Sequence, residues 1–87
     1  MSSVPASEGQ KMRDLIQYIS EALVDRSEEV RVNVIEGENS IILELKVAGD
    51  DVGKVIGKGG QTAKALRKIL SASATKLRKK ALLQIVE

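Results

Sequence analysis

Gly53-Lys54-Val55-Ile56-Gly57-Lys58-Gly59-Gly60-Gln61-Thr62-Ala63-Lys64 is the stretch on which the fold turns. Three glycines and a lysine occupy Gly57 to Gly60, and the residues on both sides read as helix. Glycine allows positive φ, and without a Cβ it lets another molecule approach the main chain closely. Lys58 adds a positive charge at the tip of the turn. If Gly60 opens a helix, the unpaired N–H groups of its first turn point at whatever rests on the loop. An anion is the natural guest.

Outward from this turn, the hydrophobic pattern supplies the remaining elements. Upstream, Val52 to Ile56 is a short helix, and one of Asp50 and Asp51 is expected to cap it after the break at Gly49. Downstream, Ala63, Leu66, Ile69 and Leu70 recur at helical spacing. On that second helix Lys64, Arg67 and Lys68 are spaced by three and four, so they share one exposed face. Further back, Val30, Val32 and Val34 alternate with polar residues, and so do Ile41, Leu43, Leu45 and Val47 with the residues between them. Each set reads as a strand with one buried face, and the turn-rich Glu36-Gly37-Glu38-Asn39 makes them a hairpin over about Glu29 to Val47. Met12, Leu15, Ile16, Ile19 and Leu23 define a first helix from an N-cap at Ser7 to about Val24, with Tyr18 expected to be partly buried. Lys76-Leu77-Arg78-Lys79-Lys80 is a basic helix end or loop, and Ala81 to Val86 a last strand. The order is α-β-β-α-α-β. Residues 1–6 are expected to form a flexible tail, leaving one domain over 7–87.

Composition narrows the chemistry. The 87 residues have room for a single core, and aliphatic side chains supply nearly all of the 43% hydrophobic fraction because Tyr18 is the only aromatic. With no cysteine and no histidine, disulfides, thiolate chemistry and the usual zinc sites are out. Adjacent Asp50 and Asp51 diverge in direction, which favours capping over metal binding, so no metal and no cofactor is expected. No apolar run is long enough to span a membrane and no signal peptide is present, so a cytoplasmic location is expected. The net charge of +2 conceals a split: residues 1–50 carry 5 Lys/Arg against 10 Asp/Glu, net −5, and residues 51–87 carry 9 against 2, net +7. The basic end, which also holds the glycine turn, is suited to a polyanion.

Other glycine motifs do not fit. A Walker A loop needs G-x-x-x-x-G-K-[ST], but Gly53 to Gly57 is one residue short and Gly59 stands where Ser or Thr would bind magnesium. A dinucleotide fingerprint from Gly57 meets Thr62 where its third glycine belongs, and a helix precedes it in place of a strand. Ser73-Ala74-Thr75-Lys76 matches S-x-x-K without the companion motifs of serine acyl enzymes. No nucleophile-base pair can be assembled, and an enzyme is not expected.

A G-x-x-G turn between two helices, preceded by Val55-Ile56 and followed by a basic helix face, resembles the KH domain. Val55-Ile56-Gly57-Lys58-Gly59-Gly60 matches the family's V-I-G-x-x-G signature without a gap, and Ala63 stands where a larger aliphatic residue is usual. The α-β-β-α-α-β order is similar to the type II arrangement, over about residues 8–87. The resemblance implies an α+β fold, a three-stranded sheet with helices packed on one face, and single-stranded RNA bound in a groove. It implies that Gly57, Lys58, Gly59 and Gly60 hold the sugar-phosphate backbone. Val55, Ile56 and Ala63 are candidates for the groove wall, with Val55 or Ile56 alternatively in the core. Lys54, Lys64, Arg67 and Lys68 would extend a positive rim, and Lys76, Arg78, Lys79 and Lys80 would border the other side. A stand-alone KH chain this short looks like a small bacterial RNA chaperone or post-transcriptional regulator, pairing as a homodimer or with a Jag-like, KhpB-type protein. The second reading is a protein-interaction or ribosome-associated scaffold with incidental RNA contact.

Overall fold

The computed structural model describes residues 7–87; the expected tail at 1–6 lies outside the described residues. Helix α1 (Glu8–Leu23) begins where Ser7 Oγ accepts a hydrogen bond from the Gln10 N–H, as an N-cap should. It buries Gly9, Met12, Ile16 and Ser20 against the sheet, while Tyr18 is 73% exposed. The expectation of a partly buried tyrosine is therefore corrected. Around the helix Tyr18 falls well away from the Met12–Ile16–Ser20 stripe, so the phenol stands in solvent.

Strands β1 (Arg31–Glu36) and β2 (Ser40–Lys46) form the expected antiparallel hairpin, with Val34 opposite Leu43. A single 3-10 turn, Ser27–Glu29, precedes it. Helix α2 (Val52–Ile56) and helix α3 (Gln61–Thr75) then cross over, so that β3 (Lys80–Val86) lies parallel to β2. The sheet order is β1-β2-β3. All three helices cover one face, giving the α+β, type II arrangement that the element order implied.

The central strand anchors the core. Ile41, Leu43 and Leu45 have no exposed surface and pack with Ile16, Val30, Val55 and Leu70. Each such side chain contributes about 1.5–3 kcal/mol relative to exposure. On the opposite face Ile35, Ile42 and Leu82 form one cross-strand row, half-buried at Ile42 and exposed at its ends. The first helix also ties down the hairpin. Glu36 accepts from the Gly9 N–H at 3.2 Å and from Ser7 Oγ at 2.9 Å. A Cβ at Gly9 would sit 2.7 Å from Glu36 Cγ, which explains glycine in the first turn of a helix.

Asp51 departs from its expected role. It stands at the N-cap of α2 but makes no side-chain cap bond. Its carboxylate instead accepts from the Arg26 N–H at 2.9 Å and from Lys54 Nζ at 3.3 Å, in a site where its side chain is 3% exposed. The connection after α1 offers an unpaired backbone donor, and the carboxylate meets that demand in place of capping.

Candidate nucleic-acid interface

The turn between α2 and α3 needs its glycines for different reasons. Gly57 closes α2, its N–H bonded to the Gly53 carbonyl at 2.9 Å, with φ 79° and ψ 168°. That region is open in practice only to glycine. A Cβ there would also meet Thr62 Cβ at 2.7 Å. Gly59 (φ 62°) and Gly60 (φ 77°) are both left-handed, yet a Cβ on either would meet nothing within 4 Å. The first of the three glycines is therefore held by packing, while the other two present bare main chain to open space. Helix α3 starts after Gly60 with no side-chain cap, and the N–H of its first residue, Gln61, bonds the Lys58 carbonyl of the turn.

Beside Gly59 and Gly60 lies an open groove of about 530 Å³ whose other lining residues are Lys64, Arg67, Lys68 and Ser71. These four fall on one face of α3, as the three-and-four spacing of the basic residues implied. Ser71, which carries no charge to mark it in the sequence, follows Arg67 by four and Lys64 by seven, which is enough to place it there. Arg67 reaches across to β3, where its Nη2 donates to the Leu83 carbonyl at 3.3 Å. Nothing in the spacing of charges revealed that contact, because it depends on how the last strand lies against α3.

The expected site residues separate into groups. Lys58 is exposed at the tip of the turn, and Ile56 is 38% exposed beside it. Val55 is fully buried and Ala63 is 3% exposed. The alternative left open between Val55 and Ile56 is thus decided: Val55 is core, and Ile56 is the one at the surface. Lys54 is bound to carboxylates on both sides, Asp25 at 3.0 Å and Asp51 at 3.3 Å. Those contacts raise its pKa above the usual lysine value, the hydrogen bond to Asp25 foremost. The Arg26 N–H first, and Lys54 after it, hold the Asp51 carboxyl below its usual range, while burial pushes the other way.

Lys76, Arg78 and Lys79 form the connection to β3. There the Lys79 N–H bonds the Ala74 carbonyl, the Arg78 N–H bonds the Thr75 carbonyl, and Arg78 sits at φ 58°. This is a Schellman ending with arginine where glycine is usual. Lys80 opens β3 and, by strand alternation, shares the open sheet face with Leu82, apart from the groove lining. Among the described residues, none of Lys58, Lys64, Arg67, Lys68, Lys76, Arg78, Lys79 and Lys80 forms an ion pair. The positive potential around the groove is therefore uncompensated. No helix among the described residues is long and apolar enough to cross a membrane.

Comparison with known proteins agrees with this architecture. The family model described as the KhpA/KhpB KH domain matches residues 13–85. The RNA-binding protein KhpA of Clostridium perfringens is 51% identical over 75 residues, 86% of this chain and the whole of that protein. The protein of the same name from Treponema pallidum is 53% identical over 74 residues, covering 85% of this chain and 92% of its own. The Aquifex aeolicus protein is 43% identical over 76 residues, covering 87% and 96%. With its type II topology, its G-x-x-G turn and a family match over most of its length, the chain belongs to the KhpA/KhpB family of KH domains.

Proposed function

We propose that this protein binds single-stranded RNA in the groove beside Gly57–Gly60 and acts through that binding, not through catalysis. The observation that carries the reading is the pairing of open main chain at Gly59 and Gly60 with a groove whose cations have no carboxylate partners. The backbone of an extended strand can approach the two glycines closely. Lys58 meets a phosphate at the tip, and Lys64 and Lys68 follow the strand along α3. Ile56 supplies apolar surface at the groove's end, and Lys76, Arg78 and Lys79 border its far side.

Lys54 contributes to this site indirectly, by holding α2 in place through Asp25 and Asp51. Lys80 adds only to the general positive field. A groove that takes about four nucleotides with a few phosphate contacts binds weakly and in a salt-dependent way. Two linked sites raise avidity without new contacts. The protein therefore works as a homodimer or with a KhpB-type partner, in the cytoplasm, as an RNA chaperone or post-transcriptional regulator. Light scattering that finds only monomer at high concentration, with no partner recovered in pull-downs, would sink the pairing.

The test of the site is the double variant Lys58→Asp, Gly59→Asp, with circular dichroism to verify the fold. Titration with a single-stranded RNA at two salt concentrations is expected to show a loss on the order of 100-fold, from charge repulsion at the closest approach of phosphate. Unchanged affinity would refute the site.

A further inference from the structure

Bases laid in a protein groove are commonly held by stacking on aromatic rings or on arginine planes. This chain has one aromatic residue, Tyr18, and it stands 73% exposed on α1, outside the groove lining. Among the six residues that line the groove, the only planar, delocalised side-chain group is the guanidinium of Arg67. Lys64 and Lys68 are point charges on flexible stems, and Gly59, Gly60 and Ser71 have no π surface.

Arg67 is also the groove cation whose head group is tethered. On β3 the Lys80 N–H bonds the Asn39 carbonyl and the Val86 carbonyl accepts from the Val47 N–H, so these residues point toward β2. The alternate residues, Leu83 among them, direct their main-chain groups to the outer edge of the sheet. Arg67 Nη2 bonds the Leu83 carbonyl on that edge at 3.3 Å and so spans from α3 to β3. Hydrogen bonds from a guanidinium lie in its plane, which leaves its faces available. A phosphate clamp would use the in-plane donors, and here one of them is already engaged. A tethered plane loses little further freedom when a base settles on it.

We propose that Arg67 is the base-stacking platform of the groove, taking the π-face of a nucleobase, and not one of its phosphate clamps. The proposal rests on the RNA-binding reading and assigns one residue a separate role within it. Charge and planarity can be separated by substitution at this one position. Arg67→Lys keeps the charge without the plane, Arg67→Tyr keeps a plane without the charge, and Arg67→Ala keeps neither.

The experiment uses the whole chain and a short single-stranded RNA, intact or with one base at a time removed to leave an abasic position. Stacking predicts that Arg67→Lys binds the intact RNA about tenfold more weakly, with the salt dependence of affinity unchanged, and that Arg67→Tyr binds more tightly than Arg67→Lys. Removing one particular base should weaken the wild type about tenfold and barely affect Arg67→Lys. A structural role alone would lower affinity for intact and abasic RNA equally, and that result would overturn the proposal. It also falls if Arg67→Lys binds like the wild type while Arg67→Ala lowers the salt slope by the roughly 0.7 expected for one phosphate. The aspartate variants at Lys58 and Gly59 distinguish the two levels. If they abolish binding while Arg67→Lys changes nothing, the groove stands and the stacking role does not. A wild type that binds no RNA at low salt refutes both.

Discussion

Lys54 and Lys58 stand four residues apart, on either side of the end of α2, and they have opposite commitments. Lys54 lies between two carboxylates, one of them buried, and fastens α2 to the segment that follows α1. Lys58 has no such partner among the described residues and projects from a turn of bare main chain. The same side chain thus serves the fold in one place and leaves charge uncompensated in the other. Asp25 of the acidic half and Asp51 at the start of the basic half neutralise the cation that the structure needs fixed. The other eight cations of the basic half form no ion pair among the described residues. The division should fail in specific ways under substitution.

The largest effect is expected within the turn itself. Gly57→Val places a β-branched residue at a backbone conformation open in practice only to glycine, against Thr62, and should cost about 3 kcal/mol or more in denaturant unfolding. Gly59→Ala has room for its methyl group and should cost about 1–2 kcal/mol from left-handed strain alone, while weakening RNA binding in a chain that remains folded. Equal losses of stability at the two positions would erase the distinction between a glycine held by packing and one left open for contact.

Next comes the clamp around Lys54. Asp51→Ala leaves the Arg26 N–H and Lys54 without their buried acceptor, and melting should fall by roughly 5 °C or more. RNA affinity of the folded fraction should not change. The pH dependence has a definite sign. The folded pKa of Asp51 lies below its ordinary 3.8, so the stabilisation is present above that value and is lost as pH falls through the folded pKa. For Lys54, raised above its ordinary 10.5, the stabilisation is present below that value and is lost as pH rises through the folded pKa. Wild type should therefore lose more stability than Asp51→Ala on acidification below about pH 4. Parallel acid melting curves would break the assignment.

A smaller and more direct comparison sets Lys54→Ala against Lys58→Ala. Removing Lys58 should weaken binding a few-fold and lower the slope of log affinity against log salt by about 0.7, the share of one phosphate on a single strand. Removing Lys54 should reduce thermal stability and leave the slope alone. A slope change at Lys54 would mean that its ammonium leaves Asp25 and Asp51 to meet the ligand.

Much of this was legible in the sequence, for identifiable reasons. Helix α2 is legible at the residues it occupies because Gly49 and Gly57 bound it, and the hairpin because its valines and leucines alternate without interruption. The basic face of α3 follows from spacing alone. Other features depend on which elements the fold brings together. The sequence offers Asp50 or Asp51 as a cap because capping is the local use of an aspartate before a helix, and only the approach of Arg26, 25 residues earlier, diverts Asp51. Tyr18 sits among apolar neighbours in sequence, yet its angle around α1 turns it outward. The bond from Arg67 to Leu83 requires the last strand to lie along α3, which no local pattern encodes.

Arg78 offers the finest test of the contrast, because there the two demands conflict at one residue. It occupies the left-handed position of the Schellman ending after α3, at φ 58°, where glycine would carry no steric strain. An L-residue in that conformation costs about 1–2 kcal/mol, partly offset by the larger unfolded-state entropy that glycine brings. Arg78→Gly should therefore stabilise the fold by about 0.5–1 kcal/mol in denaturant titration. It also removes a cation of the turn proposed to border the groove, so on that proposal RNA affinity should fall about twofold, with a slope loss near 0.7 if the guanidinium meets a phosphate. Lys54→Ala should do the reverse, lowering stability and sparing affinity. If Arg78→Gly is more stable and binds RNA as well as the wild type, the basic turn before β3 ends α3 and takes no part in the groove.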